Sequence, residues 1–86
     1  MQEKILSSLD KNLDSASEHV KAFNNATTKK QKLSALKNVF VYWGKIEQCQ
    51  ELLAFADSSA LKNWLVGSED KRLEVALFVF EHQHFI

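Results

Sequence analysis

The chain contains no proline and only two glycines, Gly44 and Gly67, in 86 residues. Sandwiches and barrels need many tight turns, and those turns lean on proline's fixed φ and glycine's freedom. The two absences therefore count against an all-β domain and favour long helices joined by a few polar turns. Cys49 is the only cysteine, so no internal disulfide staples the fold, a usage that fits a reducing compartment. No apolar run approaches the ~20 residues needed to span a bilayer. Residues 1–8 lack the continuous apolar stretch of a secretory leader. The expectation is a soluble, cytoplasmic protein with no membrane contact.

Catalytic signatures are missing as well. There is no glycine-rich phosphate loop, no nucleophile elbow and no zinc-type spacing of Cys and His. On a helix, His82 and His84 point about 200° apart and cannot share a metal. They read, like His19 on the polar side of the first helix, as solvated groups. Cys49 falls on an apolar line and reads as a structural thiol. Neither an enzyme nor a bound cofactor or metal is expected.

Apolar residues make up 45% of the chain and charged residues 26%, with six Phe, two Trp and one Tyr. That is the composition of a folded protein, and the length allows a single domain over 1–86. From Gln2 to Phe23, the residues Leu6, Leu9, Leu13, Ala16, Val20 and Phe23 recur at spacings of three and four. Such a narrow seam marks a peripheral helix. Asn24-Asn25 offers the left-handed geometry that ends helices. Thr28 with Gln31 forms a capping box that opens a second helix, continuing to about Ala56. Its main apolar line is Ala35, Val39, Tyr42, Ile46, Cys49, Leu53, Ala56. A second line, Leu33-Leu36-Phe40-Trp43, flanks it, and Leu52-Phe55 flanks the end. This helix is the spine, with neighbours on at least two sides. Gly44 in its middle implies either a close approach of another helix or a kink.

Asp57-Ser58-Ser59 stops the spine and starts a short third helix, Ser59 to Val66, with Leu61, Trp64 and Leu65 inward. Gly67 closes it, and Ser68 caps a fourth helix with Glu69 and Asp70 in its first turn. That helix places Leu73, Ala76, Leu77 and Phe80 on one face, leaving Val75, Phe78 and Val79 on the others. The fold class is all-α: a long antiparallel helical hairpin with two shorter C-terminal helices. Val39 to Trp43 and Val75 to Phe80 are β-branched and aromatic enough for strands, which would make an α+β fold. The caps and the helical phase of the flanking residues favour helix.

Two features carry functional information. The run Val75-Ala76-Leu77-Phe78-Val79-Phe80 has no polar face, and helices that are apolar all round are covered on more than one side. A chain of this size has little surface to spare for that. The surplus points to an interface, with Val75, Phe78, Val79 and Phe85 as its apolar contacts. The second feature is charge. The chain is net neutral, yet no acid lies between Glu18 and Glu47, a stretch holding Lys21, Lys29, Lys30, Lys32, Lys37 and Lys45. Lys29, Lys30 and Lys32 at a helix start suit an acidic partner. The expected function is a protein-interaction module, an adaptor, chaperone-like subunit or inhibitor, which binds another protein or itself as a homodimer. The alternative is a nucleic-acid binder using the same lysines on phosphates. The neutral net charge and the absence of any arginine from that block weigh against it, because bidentate phosphate and base contacts favour arginine.

Overall fold

The ends of each helix follow from local side-chain chemistry. In a computed structural model describing residues 2–85, and side chains as far as His84, the chain forms four α-helices. They are α1 (Gln2–Asn25), α2 (Lys29–Ala56), α3 (Ser58–Gly67) and α4 (Glu69–His82), closed by a 3₁₀ turn at Gln83–Phe85. Among the described residues there is no strand, so both β-rich runs are helical. The Thr28 Oγ accepts from the Gln31 N–H at 3.1 Å. Gln31 Oε1 reaches back to the Thr27 N–H at 3.2 Å, so the box closes one residue ahead of the cap. Asp57 serves two helices at once. Its N–H donates to Leu53 O at 2.7 Å, and its carboxylate accepts from the Ala60 N–H at 3.1 Å.

Two expected terminators act differently. No described residue has a positive φ, so Asn24 and Asn25 extend α1 rather than ending it in left-handed geometry. Ser68 does not cap α4 with its side chain. Its hydroxyl turns back and donates to Trp64 O at 2.7 Å, tying the join to α3.

Contacts between helices far apart in sequence fix the topology. Gln2 Nε2 donates to Asp57 Oδ2 at 2.8 Å, Trp64 Nε1 to Asp10 Oδ1 at 2.9 Å, and Lys71 Nζ to Asp14 Oδ1 at 2.6 Å. Further along, Phe23 meets Phe78 edge-on with ring centroids 5.1 Å apart. The partners advance together, so α3 and α4 run parallel to α1 and antiparallel to α2. The hairpin with two shorter helices is thus an up-down-up bundle whose third member is broken at Gly67-Ser68. Twenty-eight residues of α2 at ~1.5 Å each give about 42 Å, which matches the 42 Å long axis of the molecule.

The core is the seam of α1 (Leu9, Leu13, Ala16, Val20) packed on Val39, Ile46 and Leu53 of α2, with Trp64 and Val75 closing the third side. Leu6 and Phe23 complete the seam half-buried, and Tyr42 and Cys49 flank the α2 line in the same way. Gly44 does not mark a close approach within the chain: a Cβ built there meets nothing within 4 Å.

Two expectations about stability follow. Gly44→Ala should stabilise the fold by about 1 kcal/mol, the helix-propensity difference, and raise the melting temperature by a few degrees. Ile46 is fully buried, so Ile46→Ala should cost about 2–5 kcal/mol. Chemical denaturation read by helical circular dichroism checks both.

Candidate interaction surface

The apolar run of α4 contains two stripes, and packing chooses between them. Lys71, Val75, Phe78 and His82 stand at i, i+4, i+7 and i+11, on one helix face. Lys71 pairs with Asp14, Phe78 meets Phe23, and His82 meets Phe23 with centroids at 5.1 Å. That face therefore looks at α1. Val75 is 0% exposed and Phe78 7%, and Val79 is half-buried against the core. The expected contact residues Val75 and Phe78 are thus core residues, closed to a partner in this fold. Phe85 lies in the 3₁₀ turn, and its side chain falls outside the described residues.

The residues that the sequence gathers on one face of α4 point outward instead. Leu73, Leu77 and Phe80 are exposed, Phe80 to 68%, and Ala76 is half-buried. Their i, i+4, i+7 spacing sets all three in one line. Glu69, Asp70, Glu74 and Glu81 are all exposed around that line. Glu74 and Glu81 sit three and four positions from Leu77, so they share its face. They are equally four and three positions from buried Phe78, so they lie between the two stripes and do not by themselves show which one meets water. Val66 on α3 and Val41, Leu52 and Phe55 on α2 are also exposed, Phe55 to 95%.

Two histidines are less solvated than the sequence implies. His82 stacks on Phe78 at 4.1 Å between centroids, and its Nδ1 lies 2.8 Å from Phe78 O. A carbonyl only accepts, so Nδ1 is the donor in this contact. His19 stacks on Tyr42 at 5.5 Å. Among the described residues no group of three His, Cys, Asp or Glu is arranged to hold a metal.

The lysine block gathers at the start of α2. Lys29, Lys30, Lys32 and Lys37 are exposed, and none of them enters an ion pair among the described residues. Lys32 lies over the Phe23 ring, 4.8 Å from its centroid, a cation–π contact that leaves the charge in water. Beside it is an apolar cavity of about 190 Å³ lined by Phe23, Lys29, Lys32, Leu33 and Leu36. Lys29, Lys30 and Lys37 ring a more open depression on the other side of Leu33. Lys71 is ion-paired: the Asp14 carboxylate, by hydrogen bond and charge, holds its amine above the usual lysine range. The single arginine, Arg72, donates from Nη2 to Leu65 O at 3.2 Å, while its buried Nε has no hydrogen-bond partner among the described residues.

The two α4 stripes separate in a simple experiment. Phe78→Asp should destabilise the fold by about 3 kcal/mol or more, since it buries an unpaired charge. Phe80→Asp should stay within about 0.5 kcal/mol of the parent, as exposed substitutions do. Thermal melts of the two variants side by side give the answer. Comparison with protein-family models, curated proteins and solved structures finds no match to this chain.

Proposed function

We propose that this chain is a small, non-enzymatic helical interaction module of the cytoplasm, an adaptor, chaperone-like subunit or inhibitor that binds another protein or a second copy of itself. The observation that carries this reading is the outward stripe Leu73, Leu77 and Phe80 on α4. Single exposed apolar residues are ordinary, but three in helical register form a line that an opposing helix or groove can cover. Phe80 supplies the kind of aromatic anchor on which interface energy concentrates. Lys29, Lys30 and Lys32 remain in the reading as the charged element that steers an acidic partner. Val75, Phe78 and Val79 serve it indirectly, by fixing α4 so that the other stripe faces water.

The unpaired lysines at the start of α2 favour a second reading, contact with nucleic-acid phosphates. At the start of α2 that reading has only lysines to use, since the chain's arginine, Arg72, lies on α4.

A photo-crosslinking residue placed at Leu77, expressed in the native host, tests the proposal. A discrete protein adduct from position 77, and none from the outer α1 position Lys11, is the expected result. The absence of any protein adduct at 77 overturns it. Nuclease-sensitive adducts from position 30 in its place would move the function to nucleic acid.

A further inference from the structure

Resting on the interaction-module reading, we propose that the partner is a second copy of this chain, with α4 of each copy docked on the start of α2 of the other. The two surfaces match in chemistry. On α4, the apolar stripe Leu73, Leu77, Phe80 is exposed and edged by the carboxylates of Glu69, Asp70, Glu74 and Glu81. On α2, exposed Leu33 stands among Lys29, Lys30 and Lys37, with the apolar cavity on one flank. None of these lysines or carboxylates is ion-paired among the described residues. One surface is apolar with an acidic edge, and the other is apolar with a basic edge. Opposed charges around an apolar centre are what an interface uses to choose its partner and register.

Size agrees with charge. A cavity of roughly 150 Å³ holds a benzene ring, and the cavity beside Leu33 measures about 190 Å³. The most exposed aromatic ring on the α4 stripe is that of Phe80. It cannot fill the cavity of its own chain, because Val75 and Phe78 hold the opposite face of α4 inward. A second chain can supply it. Each copy carries one surface of each kind, and a two-fold pair that engages both at once makes the contact twice and closes.

Reciprocity gives the test. Lys29→Glu/Lys30→Glu/Lys37→Glu leaves both surfaces acidic, and Asp70→Lys/Glu74→Lys/Glu81→Lys leaves both basic. In sedimentation at low salt, wild type should dimerise, and each variant alone should associate at least about tenfold more weakly. An equimolar mixture of the two variants should recover the dimer, because both contacts are then opposite in charge. Lys4→Glu/Lys11→Glu/Lys62→Glu has the same net charge as the first variant and should dimerise like wild type. Circular dichroism verifies that all three variants are folded. A wild-type chain that stays monomeric at about 1 mM, a mixture no tighter than its components, or an equal loss in the third variant overturns the proposal. A monomeric chain that still gives a Leu77 adduct with another protein ends this inference alone. A monomeric chain with no adduct ends the interaction-module reading as well.

Discussion

Val39, Ile46 and Leu53 stand seven residues apart on α2, and all three are completely buried. A seven-residue row keeps nearly the same angular position along a helix, drifting only slowly, so its neighbours must lie almost parallel to it. From that constraint comes the shape of the molecule. The seam of α1 fills one side of the row, and Trp64 of α3 and Val75 of α4 fill the other. The length of α2 then sets how far the other members must reach. Lengths of 24 residues in α1 and of 10 and 14 in α3 and α4 nearly match its 28.

Covering the row from two sides fixes the rotation of α4, and rotation decides what the molecule shows to water. Lys71, Phe78 and His82 engage α1 through an ion pair and an aromatic cluster with Phe23. With that face committed, Leu73, Leu77 and Phe80 have nowhere to go but out. The exposed stripe is a consequence of good internal packing. At the same end of the bundle, Phe23 also carries Lys32 on its ring, so one aromatic side chain links the α1–α4 contact to the lysine-rich start of α2.

The helices were legible in the sequence because three independent signals agreed at Thr28, at Asp57 and along the α1 seam. Periodicity, capping chemistry and the shortage of proline and glycine all pointed the same way. The phase of α4 was not legible from periodicity. Leu73, Leu77 and Phe80 satisfy helical spacing as well as Val75, Phe78 and Val79 do, and a run apolar on both faces gives no preference. The choice depends on Asp10, Asp14 and Phe23, which are more than fifty residues away from their partners. The role of Ser68 was illegible for a related reason: a serine at a helix join can bond forward or backward, and the geometry of the join selects. Charge was read more securely. The lysines placed at the helix start are exposed there, because solvation holds charged groups at the surface whatever the packing beneath.

The break at Gly67-Ser68 and the one-residue connection at Asp57 give the bundle an order of assembly. The hairpin of α1 and α2 joins chain neighbours across a three-residue link and has the most extensive interface in the molecule. Its closure costs little chain entropy. The third arm arrives in two segments, each too short to hold helical shape well alone in water. It therefore gains its structure from a groove that the hairpin has already made. Local opening follows the same path in reverse, with the arm as the part of the native state that lets go first.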